Sequence, residues 1–390
     1  MSDLLWPGDD RAGDLFSDAA VLAAMVRVEA AWLHALVARE IAVPEADDDL
    51  HKLIDAGDAA RIAADAEAGG NPVIPFLSLL RERLGERNGT AAFWVHRGLT
   101  SQDVLDTALA LCLREAVARL RTDIATQITA LTRLADEHRG TPMAGRTLTQ
   151  HAVPITFGVK VVGWLEAVLD ARAGLDVPLA ARLGGAAGTL AAPAALAGSA
   201  RGALDLVATT AAALGLPHRI RPVSFTHLAD ALVSCTDAWG HIANDVLLAS
   251  RPEIGELSEA RGGGSSTMPQ KQNPTLSVLI RRAALAGPAL AATMHACAAA
   301  DVDERPDGSW HVEWASLRTL ARRTVTAGSQ TADLLTGLRV NADRMAATLA
   351  AARPGIDAEQ ARFAGHTDAA YSGAADEIID NALARARETG

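Results

Sequence analysis

Apolar residues at Leu113, Val117, Leu120, Ile124, Ile128 and Leu131 recur every three to four positions, the spacing that gathers them on one helix face. No glycine or proline interrupts residues 99–139. At about 1.5 Å per residue the pattern predicts a helix on the order of 50–60 Å long. Comparable patterns occupy residues 154–174, 225–250, 274–300 and 310–338. Several of them, residues 283–300 above all, carry small apolar side chains all round. Helices of that kind are buried on more than one side, which predicts subunits that share a helical core. Up to about residue 100, Pro44, Gly57, Gly69, Gly70, Pro72 and Pro75 divide the chain into shorter helices. After Arg339 two short helical patterns remain, at 342–352 and 374–387. The expectation is an all-α fold: an N-terminal helical domain at 1–100, an elongated central bundle of long helices at 101–340, and a short C-terminal helical domain at 341–390.

Composition narrows the function classes. The chain has 390 residues, 49% of them hydrophobic and 4% aromatic, with a formal net charge of −11. That balance excludes disorder, and few aromatics with little β-branched alternation argue against a large sheet. The acidic balance disfavours a nucleic-acid or anionic-membrane partner, because such binding is driven by neutralising phosphates. No stretch reaches the ~18 uninterrupted apolar residues of a membrane span; the Ala-rich residues 185–200 come closest and are broken by Gly188, Pro193, Gly198 and Ser199. The first ten residues lack a basic start followed by an apolar run, so no secretory signal is expected. Cys112, Cys235 and Cys297 are odd in number and far apart. They form neither a disulfide framework nor a metal-binding cluster, and a reducing cytoplasm is the expected compartment.

The chemistry concentrates in RGGGSSTMPQKQNP at 261–274. Three glycines let the backbone bend freely. Two serines, a threonine, a lysine and an asparagine follow, and Asn273-Pro274 opens a long apolar helix with Asn as cap and Pro in the first turn. A polar, glycine-rich loop that leads into a helix start suits anion binding and closure over a ligand. Two other polar clusters stand out: Thr100-Ser101-Gln102-Asp103, where the longest helix begins, and Gly145-Arg146-Thr147-Leu148-Thr149-Gln150, in a loop just after it. Asp103 is expected to serve the helix terminus. His96 precedes the first cluster and His151 follows the second.

These three segments, in this order, resemble the three signature regions of the fumarase/aspartase superfamily, whose enzymes add or remove a group across a carbon–carbon double bond beside a carboxylate. The resemblance covers nearly the whole chain. It implies that Ser265 is the acid/base that moves the proton, with Lys271 supplying the positive charge that makes a serine alkoxide accessible. His151 is a second candidate for proton transfer. Substrate carboxylates are expected to meet His96, Thr100, Ser101, Arg146, Thr147, Gln150, Ser266, Lys271 and Asn273, because the intermediate places a second negative charge on a carboxyl group and needs fixed donors aimed at it. Arg11 is a further source of positive field. The resemblance also implies a homotetramer whose sites combine the three regions from different subunits. It implies no metal and no organic cofactor.

Within the superfamily, argininosuccinate and adenylosuccinate lyases carry a proton-transferring histidine where this chain has Leu148. The segments WPGDDRAGDLFSDAA at 6–20, GNPVIP at 70–75, RTLTQHAVPITFGVK at 146–160 and WHVEW at 310–314 are similar to the branch of bacterial cycloisomerases that also lack that histidine. Those enzymes lactonise 3-carboxy-cis,cis-muconate in the β-ketoadipate (protocatechuate) pathway, and the same reaction is the first expectation for this chain. Two departures from those enzymes stand out, and the first keeps a β-eliminating lyase acting on another dicarboxylate as the alternative. The segment Ser224-Phe225-Thr226-His227-Leu228 lacks an arginine usual in cycloisomerases, and the tail after Arg339 is short. A catalytically silent relative is the less favoured reading, because Ser265, Lys271 and Asn273 are all present.

Overall fold

The structure is a computed structural model that describes residues 3–220, 224–260, 262–264, 267–268, 271–365, 367 and 373–389. Among these the fold is all-α, with thirteen helices and six short strands that pair in twos. In chain order the helices are α1 (Asp18–Ala38), α2 (Ala59–Gly69), α3 (Val73–Arg87), α4 (Gly89–Trp94), α5 (Ser101–Glu137), α6 (Phe157–Gly174), α7 (Ala191–Ala197), α8 (Ala200–Ala213), α9 (Thr226–Ala249), α10 (Thr275–Ala300), α11 (Gly308–Thr336), α12 (Ala342–Ala364) and α13 (Ala375–Thr389). The strands are β1 (Pro142–Thr147), β2 (Gln150–Thr156), β3 (Ala181–Arg182), β4 (His218–Arg219), β5 (Leu257–Glu259) and β6 (Leu338–Val340). β1–β2 and β5–β6 are antiparallel and β3–β4 is parallel.

The five long helical patterns appear within a few residues of their expected bounds. The pattern after Arg339 runs further than expected: α12 continues through Pro354 to Ala364.

The chain divides into two compact units, each assembled from three stretches. The first comprises Met1–Ala118, Val177–Ala229 and Leu290–Arg322; the second comprises Arg119–Asp176, Asp230–Ala289 and Arg323–Gly390. Helices α5, α9, α10 and α11 contribute residues to both.

In the first unit, α1 starts at Ser17, whose hydroxyl accepts from Ala20 N at 3.1 Å, an N-cap that satisfies one of the orphan donors of the first turn. Its Met25, Val28, Trp32, Leu33 and Leu36 are buried. Its apolar length is thus explained by core packing. A buried ion pair between Arg322 and Asp9, at 2.7 Å, ties α11 to the N-terminal segment.

In the second unit, the predicted face of α5 is buried at Leu120, Ile124 and Leu131. A buried polar relay crosses this core: Trp239 Nε1 donates to Gln127 Oε1 at 2.7 Å, and Gln127 Nε2 donates to Gly328 O at 2.9 Å. A side chain at Gly328 would meet the Trp239 ring at 3.1 Å, so the close approach of α9 and α11 here needs a glycine. Helix α10 behaves differently. Over its most apolar 18 residues only 28% is buried, and Val278 and Leu285 face outward.

Candidate active site

The first signature region lies in the first unit. A loop at 95–100 joins α4 to α5 and is braced from several sides. Arg81 Nη2 donates to Val95 O at 3.0 Å, Trp32 Nε1 to Arg97 O at 2.7 Å, and Arg97 stacks over the Phe93 ring at 3.4 Å. His96 adopts the left-handed conformation, with φ 65°. Its Nδ1 lies 2.7 Å from Oε1 of the fully buried Glu29. Thr100 and Ser101 open α5 as expected. Asp103 reaches back to the start of the helix, accepting from Thr100 N at 3.1 Å.

Asp103 does more than cap. It also accepts from Gly184 N and Gly185 N, each at 3.0 Å, and pairs with Arg305 at 2.9 Å. Burial pushes its carboxyl above the ordinary range, while these donors pull it back. All four named partners are donors, which leaves a carboxyl proton no acceptor, so the group is held as a carboxylate. Gly185, at φ 71°, supplies the backbone turn that points both amides inward.

The unusual segment at Ser224 is also in the first unit. Ser224 Oγ and Phe225 N both donate to Glu313 Oε1, at 3.0 and 3.2 Å. Arg182 lies 3.5 Å over the Phe225 ring and 3.8 Å from Asp106. Burial pushes the Asp106 and Glu313 carboxyls up and the Arg182 guanidinium down. The WHVEW run contributes Trp310, whose Nε1 donates to Asp106 at 2.8 Å, and Glu313. His227 follows at the start of α9.

The second and third regions lie in the second unit. The second is a β-hairpin rather than the expected loop. Thr147 pairs with Gln150 and Arg146 with His151 across a two-residue turn. Leu148 and Thr149 form that turn with φ 47° and 70°, the two positive φ values of a type I′ connection. Such turns are normally announced by Asn-Gly or Asp-Gly, and Leu-Thr carries no such signal. Leu148 stands at the tip, 96% exposed. Thr147, Gln150 and His151 are exposed beside it.

Arg146 does not stand free. Its Nη1 and Nη2 donate to Oε2 and Oε1 of Glu256 at 2.9 and 2.8 Å, and Glu256 is fully buried. This bidentate pair clamps the hairpin to the segment that enters β5.

In the third region, Ser265 and Ser266 lie outside the described residues. The base of the loop is closed by Gly263 N to Asn273 O and Asn273 N to Gly263 O, both 2.8 Å. A side chain at Gly263 would sit 2.0 Å from Thr275 Oγ1, so this closure requires glycine. Lys271 is exposed, with its amide on Met268 O at 3.0 Å. The expected Asn273 cap of α10 is replaced: Glu259 from β5 accepts from Leu276 N at 3.0 Å, Ser277 N at 2.8 Å and Ser277 Oγ at 2.7 Å. Asn273 Nδ2 instead approaches Gly264 O at 3.4 Å, a long contact that leaves the amide adaptable.

The hairpin and the loop thus stand on one unit and the His96–Ser101 cluster on the other. Sequence reasoning missed three buried glutamates that organise them: Glu29, Glu256 and Glu259. None of the three belongs to a signature segment, and each acts through a tertiary contact that its neighbours in sequence do not announce.

The chain is similar to several known proteins. A family model described as "Lyase" matches residues 18–286. The nitrosuccinate lyase of Streptomyces davaonensis is 44% identical over 351 residues, covering 85% of this chain and 73% of its own length. The 3-carboxy-cis,cis-muconate cycloisomerase of Bradyrhizobium diazoefficiens is 38% identical over 316 residues, covering 79% and 69%. Among solved structures, the 3-carboxy-cis,cis-muconate lactonizing enzyme from Pseudomonas putida superposes with a TM-score of 0.83 at 26% identity, over 97% of both chains.

Proposed function

The chain belongs to the lyase family of the fumarase/aspartase superfamily, and on that premise we propose that it eliminates nitrite from nitrosuccinate or a close 2-substituted succinate, leaving fumarate. The observation that carries this reading over an amine-releasing lyase is Leu148 at the hairpin tip, between Thr147 and Gln150. A leucine has no proton to give a leaving group. An amine must be protonated as it departs, whereas nitrite leaves as a stable anion and needs none. The similarity to a nitrosuccinate lyase supports the same chemistry.

In this mechanism Ser265 takes the proton from the carbon next to the distal carboxylate. The electron pair moves into that carboxylate, giving a doubly charged carboxyl group, then returns to form the double bond as the C–N bond breaks and nitrite leaves. Lys271 and the Asn273 amide, at the neck of the loop, are the proposed partners of that developing charge. Thr100 and Ser101, supplied by a different subunit of the expected homotetramer, offer hydroxyls and the first amides of α5 to the other carboxylate. His96 and the Thr147, Gln150 and His151 side chains complete the binding groups. Arg146, already engaged by Glu256, is assigned to holding the hairpin. The test is to supply nitrosuccinate and follow both products: nitrite by azo-dye colour and fumarate by ultraviolet absorbance, rising in equal amounts. Fumarate without nitrite, or neither, contradicts the reading.

Cycloisomerisation of 3-carboxy-cis,cis-muconate is the second reading, favoured by the similarity to cycloisomerases in sequence and structure. It uses the same residues in the opposite direction. One carboxylate closes on an alkene carbon, and the neighbouring carbon receives a proton. Against it stands the Ser224 segment, where Glu313 gathers Ser224 Oγ and Phe225 N and no arginine is present among residues 224–228.

A further inference from the structure

We propose that Glu29 is a positioning residue for His96, holding the imidazole by Nδ1 so that Nε2 is the nitrogen offered to the substrate. The inference rests on the reading above in placing His96 at the site. Glu29 sits in the middle of α1, fully buried. Its Oε1 lies 2.7 Å from His96 Nδ1, and its Oε2 is buried with no hydrogen-bond partner among the described residues. A carboxylate in that setting is costly, and a leucine of similar size would pack there without the penalty. A contact with one imidazole nitrogen is the only return that the described structure gives it.

The loop is shaped around this contact. His96 takes a left-handed backbone, φ 65°, which is sparsely populated by non-glycine residues. Gly98 follows at φ 90°. Trp32, three residues after Glu29 and therefore on the same face of α1, holds Arg97 O. One helix face thus fixes both the backbone and the imidazole of this loop. The His96 side chain retains 14% exposure while Glu29 has none, so the ring is not sealed off as its partner is. With Nδ1–H committed to Glu29, every proton that the ring exchanges passes through Nε2. That is the reverse of free histidine, whose neutral form prefers the proton on Nε2.

The tautomer can be read without any substrate. Protein carrying nitrogen-15 histidine, at alkaline pH where the rings are neutral, is examined by long-range nitrogen–proton correlation, and the His96 signals are those lost in His96→Gln. The native protein is expected to show the Nδ1–H form, and Glu29→Leu to shift His96 to the Nε2–H form. A native Nε2–H form, or a Glu29→Leu protein with the native pattern, overturns the proposal. Glu29→Met, which keeps the length of the side chain and offers no oxygen acceptor, takes its place if the leucine variant fails to fold. Either variant is expected to lower kcat about tenfold or more, part of the general acid–base effect, with KM within about twofold. An unchanged kcat, with an altered tautomer, overturns the catalytic relevance of the positioning. Inactivity of the native protein toward nitrosuccinate leaves the tautomer result standing and counts against the proposed reaction alone.

Discussion

The assignment of Arg146 can be tested by removing its charge. Arg146→Met keeps much of the side-chain volume and leaves Glu256 buried and unpaired. Breaking a buried ion pair from one side costs about 3–5 kcal/mol. Glu256 is fully buried, but 27% of the Arg146 side chain is exposed, so water offsets part of the loss and about 2 kcal/mol is the better expectation. Unfolding entropy is about 2.1 cal/mol/K per residue. Over 390 residues that amounts to roughly 0.8 kcal/mol/K, so Tm should fall by about 2–3 °C. Calorimetry on the native and variant proteins at neutral pH measures it. The double variant Arg146→Met/Glu256→Leu removes the stranded charge and should recover more than half of the loss. If Arg146 were instead a substrate ligand, Arg146→Met would raise KM and leave Tm at the native value, and that result would refute the clamp.

Other expectations follow from the same structure. Ser265→Ala should fold normally and lose roughly two orders of magnitude in kcat, the scale of general acid–base catalysis; near-native turnover would remove Ser265 from the mechanism. The outward apolar face of α10, with Val278 and Leu285, belongs in the proposed homotetramer between subunits, so Leu285→Glu should give smaller species by light scattering, and an unchanged mass would place the contact elsewhere. The Asp58 carboxyl is held below its ordinary value of 3.8 by hydrogen bonds from Arg83, despite the opposing effect of burial. Its stabilisation is therefore present above about pH 3.8 and lost as pH falls below it. The Tm difference between native and Arg83→Met should shrink on the acid side of that value, and a constant difference would contradict the pairing. Burial pushes the Cys112 and Cys235 thiols up to about 12, so both should resist thiol reagents until the protein unfolds.

Much of the helical framework was legible because a 37-residue helix such as α5 repeats its apolar face many times, and no local preference overrides that repetition. The start of α5 was legible too, since Thr100 and Asp103 stand at cap spacing. The hairpin was not. Its turn is Leu148–Thr149, two residues that pay a steric cost to adopt positive φ, and only the surrounding pairing and the Arg146–Glu256 clamp make that turn worthwhile. The start of α10 was misread for a related reason. Asn273-Pro274 has the composition of a cap, but a carboxylate from Glu259, fourteen or more residues away in sequence, reaches the first amides instead. The three organising glutamates act through tertiary contacts, so neither periodicity nor motif spacing marks them. Ser265, Lys271 and Asn273 stand out in the sequence by the composition and order of their loop, and their roles belong to the proposed mechanism.

The central claim is that this site expels a stable anion from a substituted succinate in preference to closing a lactone. It is tested most directly by measuring kcat/KM for nitrosuccinate and for 3-carboxy-cis,cis-muconate on the same preparation, with nitrite release followed for the first and diene absorbance for the second. The account predicts a ratio well above ten in favour of nitrosuccinate, with both activities lost together in Ser265→Ala. Rapid loss of diene absorbance with no nitrite from nitrosuccinate would contradict it and establish the cycloisomerase reading in its place.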